Sequence, residues 1–319
     1  MPPEPLIPWP EPIFQFIGFV GTFLAVGAVG FYFTVLRRRL AMTGETLAEA
    51  DRPAYVGAGR RAAVIGLIGS IIGAVQLARI LPGFAARQHV SVGQLLTSNV
   101  PLGLGVLLTL VALLGFALAV GKLPVGWVLA AIGAIFSRLP ALFAGRWAGL
   151  INPLHMLAAS LWIGTLFVLV TAGITVVLRH EATRERRGVI VADMVNAFSP
   201  FALVMGLLVI GLGVTTALRH LHPFSSLWST PYGYTLIIKL CVVATVFTLG
   251  TWNWRRQRPR LGTEPTAVAI RRSATGELVA ATIVLIITAI LVSLPSPQRY
   301  LRARQQQQQQ EAPPPSPPM

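Results

Sequence analysis

Charged side chains are scarce in this chain, at 12% of its 319 residues. A soluble domain carries about 25%. Too little polar surface is left for a water-soluble globule, which excludes an ordinary cytosolic enzyme. Acidic residues are scarcer still, 11 Asp and Glu against 26 Lys and Arg, for a formal net charge of +15. There is one cysteine, Cys241, which excludes an internal disulfide and a Cys-cluster zinc site. No Walker motif, dinucleotide fingerprint, His-Glu-x-x-His or nucleophile elbow occurs. These absences set the expectation that the chain is not an enzyme. What it has in abundance is apolar length: 54% of residues are hydrophobic and the mean hydropathy is +0.67. The composition implies an all-α, polytopic membrane helix bundle whose first partner is the lipid bilayer.

A membrane-spanning helix needs about 20 mostly apolar residues. Eight stretches qualify, at about 13–36, 61–82, 101–121, 124–145, 149–178, 197–217, 232–254 and 275–294. The third and fourth are separated only by Lys122 and its neighbours, which reads as a tight hairpin. The runs are too long for strands of a βαβ fold. Residues 1–12 hold Glu4, Glu11 and several prolines but no Lys or Arg. A signal peptide needs a basic n-region, so the first span is expected to stay in the mature protein. The chain divides into an N-terminal four-helix half, 1–149, a second four-helix half, 150–295, and a tail, 296–319. That tail contains Gln305 to Gln310 and a proline-rich end, a composition expected to be disordered.

The basic residues are distributed asymmetrically. Arg37, Arg38, Arg39, Arg52, Arg60, Arg61, Lys122, Arg179, Arg184, Arg186, Arg187 and the run from Arg255 to Arg272 fall on one side of the eight spans. Arg87, Arg146, Arg219, Arg299, Arg302 and Arg304 fall on the other. The positive-inside rule assigns the richer side to the cytoplasm. Both ends of the chain then face outward, from a multi-pass protein of the cytoplasmic membrane. The positive charge is accordingly a topology signal, and no nucleic-acid partner is expected.

An ionisable group within a span is costly and is a functional candidate by default. From the ~1.5 Å rise per residue, Arg138, His155 and Lys239 each lie roughly 10 Å below the outer surface. They line a candidate polar cavity, approached by Gln76 and Arg79 from the second span. Arg79 can also reach outward to water, and Lys239 can just do so. Tyr232 and Tyr234 overhang the layer. His220 and His222 lie in the loop above, as a metal-holding pair or as solvated side chains. Met156, Met205 and Cys241 are soft donors at membrane depth, or ordinary packing. On the inner side, Asp193 and Glu277 face a ring of arginines. They are either interfacial ion pairs or an exit site for a cation or proton. Gly69 and Gly73, and Gly206, Gly211 and Gly213, permit close helix packing.

The second half carries a series of ordered motifs: His155-Met-Leu-Ala-Ala-Ser-Leu-Trp162-Ile-Gly164, then Ser199-Pro200-Phe-Ala-Leu-Val, Leu227-Trp228-Ser-Thr230-Pro-Tyr232-Gly233, Lys239, Asn253, Arg272-Ser273 with Glu277, and Leu294-Pro295. Over about 150–295 this resembles the copper-resistance D (CopD) family, whose His-x6-Trp-x-Gly helix the first motif matches. One departure is Gly145-Arg146-Trp147, where family members often carry Gly-His-Ala. The resemblance implies copper import across the cytoplasmic membrane, with copper taken from an extracytoplasmic copper-carrier protein. His155 would be the central ligand, assisted by Met156, Met205, His220 or His222, beside a polar cavity of Arg138, Trp162, Tyr232, Lys239 and Glu277. Two alternatives stay open. A transmembrane His followed by an aromatic also resembles a haem-binding redox bundle, in which His is a common axial ligand. The third reading is a non-catalytic assembly subunit of a copper enzyme.

Overall fold

The computed structural model describes residues 9–41, 51–221 and 224–311. In chain order the helices are α1 Glu11–Ala41, α2 Arg52–Arg87, α3 Val92–Ser98, α4 Val100–Val120, α5 Val125–Phe136, α6 Pro140–Phe143, α7 Ile151–Arg179, α8 Arg187–His220, α9 Ser226–Ser229, α10 Pro231–Arg260, α11 Glu264–Ser293 and α12 Pro297–Glu311. Among the described residues there is no strand. Seven of the helices are long and apolar enough to cross a membrane. The chain is an all-α, multi-pass membrane protein.

The expected fourth span differs from a full crossing. α5 has 12 residues, a length of about 18 Å against a hydrocarbon core of ~30 Å. Pro140 is the cause. It has no N–H to continue the ladder and pushes the residue before it out of the helical region. Leu139 accordingly sits at φ −115°, ψ 46°, and Ser137–Leu139 leave the helix before α6 restarts it. The tail differs as well. Residues 297–311 are helical where disorder was expected. Gln and Arg are good intrinsic helix formers even without a core to pack on.

Local chemistry sets the other boundaries. Glu11 and Pro12 open α1, where an acidic residue suits the helix dipole and proline loses nothing. Ser91 caps α3 by accepting from the Gln94 N–H at 3.2 Å. Thr230 caps α10 by accepting from the Gly233 N–H at 3.1 Å. The α4–α5 hairpin forms as expected. It turns at Gly121 and Lys122, with Lys122 at φ +66°, and Gly115, Gly126 and Gly133 each stand against the backbone of the opposite helix.

α1 and α7 form the centre of the bundle. α1 packs on α2, α5, α7 and α11, and α7 packs on α8. At their crossing Gly27 and Gly164 stand backbone to backbone, so neither position has room for a Cβ. Gly69 of α2 likewise meets the backbone of Gly21 and Ala25. The ring of Tyr32 stacks on Trp127 of α5 at 4.2 Å. One continuous core runs from Ala25 through Phe116, Leu169 and Val191 to Ala281. α8 and α10, by contrast, present long rows of exposed apolar residues, among them Leu203, Leu207, Ile210, Ile238 and Leu240.

Candidate functional site

His155 and Trp162 are seven residues apart on α7, close to two turns, so they share one face. Gly206 and Gly213 have the same spacing on α8, which runs antiparallel beside α7. The two pairs are in register. A Cβ on Gly213 would lie 3.0 Å from His155 Cε1, and one on Gly206 would lie 3.9 Å from the Trp162 ring. The glycines are seats for the two large side chains. Gly211 has open space around it and serves no such purpose.

The His155 ring is partly buried, beside the Val209 backbone and within electrostatic range of Lys239. Its Nδ1 is buried with no hydrogen-bond partner among the described residues. Buried polar atoms are almost always satisfied, so this imidazole nitrogen is one of the few exceptions among the described residues. Two members of the expected outer layer, His155 and Lys239, are therefore neighbours. Arg138 is seated elsewhere, with Nη2 3.0 Å from where a Cβ of Gly73 would be, and its Nε is buried without a partner. Gly73 is thus the gap that admits this guanidinium.

Arg79 turns to α1, with its guanidinium 3.8 Å over the Phe14 ring and 3.8 Å from Glu11. It also donates to Gln76 at 3.3 Å. Tyr232 packs with Leu221, Leu236 and Leu291, and Tyr234 donates to the Trp228 carbonyl at 2.5 Å. Met205 packs at the margin of the main core. Met156, next to His155 in sequence, points about 100° away on a helix. Cys241 is exposed. Of His220 only the backbone closing α8 is described, and His222 lies outside the described residues. Among the described residues no group of three or more His, Cys, Asp or Glu gathers to hold a metal.

The two inner acids separate. Asp193 is an interfacial ion pair, bonded to Arg39 and accepting from the Tyr55 hydroxyl at 3.0 Å. Arg186–Asp51 at 3.1 Å and Arg187–Glu264 at 2.9 Å continue that layer. Glu277 is 5% exposed, and among the described residues no cation pairs with it. Its Oε2 accepts from the Asn253 amide at 2.9 Å, while Asn253 Oδ1 accepts from Gln257 at 3.0 Å and from Ser273. Oε1 lies 2.9 Å from where a Cβ of Gly250 would stand, so glycine there makes the room.

Glu277 lines a chamber of about 220 Å³ between α7, α8, α10 and α11, which continues past it to Ile270 and Arg258. Trp162 and Phe247, with ring centroids 4.7 Å apart, line it toward its outer end. Along the membrane normal the order is His155, then the aromatic pair, then Glu277 with Asn253. Phe247, Gly206 and Gly213 are absent from the sequence-based site. The matching seven-residue spacings were the available signal for the glycines, and nothing local marks Phe247.

The comparisons with known proteins bear on this half of the molecule. The family model "Copper resistance protein D" matches residues 192–291. The chain is 28% identical over 148 residues to the Copper transport protein CutJ of Bacillus subtilis (strain 168), a match covering 46% of this chain and 25% of that protein. The chain thus aligns with about a quarter of its curated relative's length. No solved structure matches the chain. The matched residues 192–291 supply α8, α10 and α11 around the Trp162–Glu277 chamber, so the likeness to copper resistance protein D lies in the part of the chain that builds this chamber.

Proposed function

We propose that this protein imports copper across the cytoplasmic membrane and that His155 is its principal ligand. The observation that carries the reading is the unsatisfied, buried Nδ1 of His155, seated by Gly213 at the outer end of a helix packed on the CopD segment. Imidazole is a suitable copper donor. The likeness to a copper transport protein and to copper resistance protein D supplies the metal. Lys239 repels a bare cation at close range, so copper arrives at His155 carrying its own donors, as it does when handed over by an extracytoplasmic carrier protein. The absence of any catalytic motif supports transport in place of chemistry. The Arg39–Asp193, Arg186–Asp51 and Arg187–Glu264 pairs gather the ends of α1 and α7 and the starts of α2, α8 and α11 in one layer, so α1 begins and α11 ends on the opposite, outer side, and this arginine-rich layer is the cytoplasmic face.

The test is the metal content and visible spectrum of detergent-purified protein beside His155→Ala, with cellular copper measured on deletion and overexpression. Copper retained by the wild type and lost in the variant is expected, with cell copper following expression. A Soret band lost in the variant would move the protein to the haem class. Unchanged cell copper under both limitation and excess would overturn transport.

A further inference from the structure

Two neighbouring helices of the bundle barely touch. α8 and α10 pack on α7 and α11 respectively, but approach each other mainly at the Arg258–Arg260 end. There Arg258 Nε donates to Asn196 at 2.7 Å. Phe247 reaches across the gap to Gly206. Between these two points the chamber is open on its outer side. Leu203 and Leu207 line it and are also 55% and 61% exposed. At membrane depth such an opening faces hydrocarbon, and its walls are almost wholly apolar.

A second cavity adjoins the inner mouth. It is lined by Asn196, Trp254, Arg255, Arg258, Pro259 and Leu261, and shares Trp254 and Arg258 with the chamber. An apolar slot thus runs into a dibasic pocket with an indole at the junction, the order of groups in a phospholipid and its interface. The lengths agree as well. From Arg258 to Phe247 is eleven residues, about 16 Å along a helix, which is roughly half of a ~30 Å hydrocarbon core. Paired arginines bind a phosphate and favour one that no choline cation neutralises, and basic pockets between transmembrane helices attract anionic lipid.

We propose that the groove between α8 and α10 binds an anionic phospholipid, with its phosphate at Arg255 and Arg258 and one acyl chain in the chamber below Trp162 and Phe247. This site stands independently of the copper reading. The test is native mass spectrometry of the purified full chain exchanged into detergent containing equal phosphatidylglycerol and phosphatidylcholine. Selective retention of phosphatidylglycerol is expected, at about fivefold preference per arginine. Arg255→Gln with Arg258→Gln abolishes the preference. Ala202→Phe, which fills the chamber wall and leaves both arginines in place, lowers retention of both lipids. Equal retention of the two lipids by the wild type, or an unchanged preference in the arginine variant, would overturn the site. So would displacement of the lipid by millimolar inorganic phosphate, which would assign the pocket to a soluble anion. Should the double variant fail to fold, the wild type in high salt gives the same answer, because screening removes a preference that rests on charge.

Discussion

The buried polar residues of this protein fall into two kinds, and neighbours decide which. Asp193 has Arg39 and Tyr55 and is structural. Glu277 is held by a neutral partner among the described residues, the Asn253 amide. Removing one member of a buried polar pair costs the desolvation of the other. Asn253→Ala should therefore destabilise the protein by about 1–3 kcal/mol, read as a lowered midpoint in detergent thermal unfolding. Asn253→Ala with Glu277→Ala should recover part of that loss, because nothing polar is left stranded. An unchanged midpoint in the single variant would show that the pair contributes nothing. His155 is the opposite case: its Nδ1 already has no partner to lose, so His155→Ala should leave the unfolding midpoint within about 1 kcal/mol of the wild type while abolishing copper retention.

Between elements, the fold depends on small residues where helices cross. Gly27 of α1 and Gly164 of α7 meet without side chains, and these two helices form the centre. Gly27→Leu forces the crossing apart, an overpacking cost of about 1–3 kcal/mol or more. The expected outcome is loss of monodisperse protein on fluorescence-detected size-exclusion chromatography. Gly18→Leu is the control, since open space surrounds a Cβ at that position of the same helix, and its yield should match the wild type. Equal yields from both variants would show that the close crossing is dispensable. The same scale explains the shortened α5. Its apolar sequence continues past Phe136, but Pro140 limits the helix to 12 residues, and Arg138 occupies the break against Gly73.

For the whole molecule the testable statement is its orientation. In a Cys241→Ser background, Lys122→Cys should react with a membrane-impermeant maleimide only after the cells are permeabilised. Arg87→Cys should react in intact cells. Both positions are exposed, so accessibility is not limited by packing. The reverse pattern would invert the molecule and with it the direction proposed for copper. The asymmetry of burial is also a property of the whole. α1 and α7 are enclosed, whereas α8 and α10 turn their apolar faces outward, which leaves the CopD segment as the part of the bundle most open to lipid.

The sequence by itself determined the membrane class, the helical fold, the α4–α5 hairpin and the likeness of its second half to copper resistance protein D. All of these rest on local quantities: the length of apolar runs, the turn residues at Gly121 and Lys122, and ordered motifs such as His155 to Gly164. It also placed His155 and Lys239 at one depth, because helical rise is uniform. Depth is not neighbourhood. Arg138 shares that depth and sits against Gly73 instead, since the azimuth of a side chain about the bundle is set by which helices pack and at what rotation. For the same reason only the tertiary structure decided that Asp193 pairs with an arginine and Glu277 with the neutral Asn253 amide. Likewise it alone matched Gly206 to Trp162 and Gly213 to His155, and left a groove between α8 and α10. Each of these is a relation between residues far apart in the chain, fixed by the antiparallel register of two helices and by the room that a missing Cβ leaves.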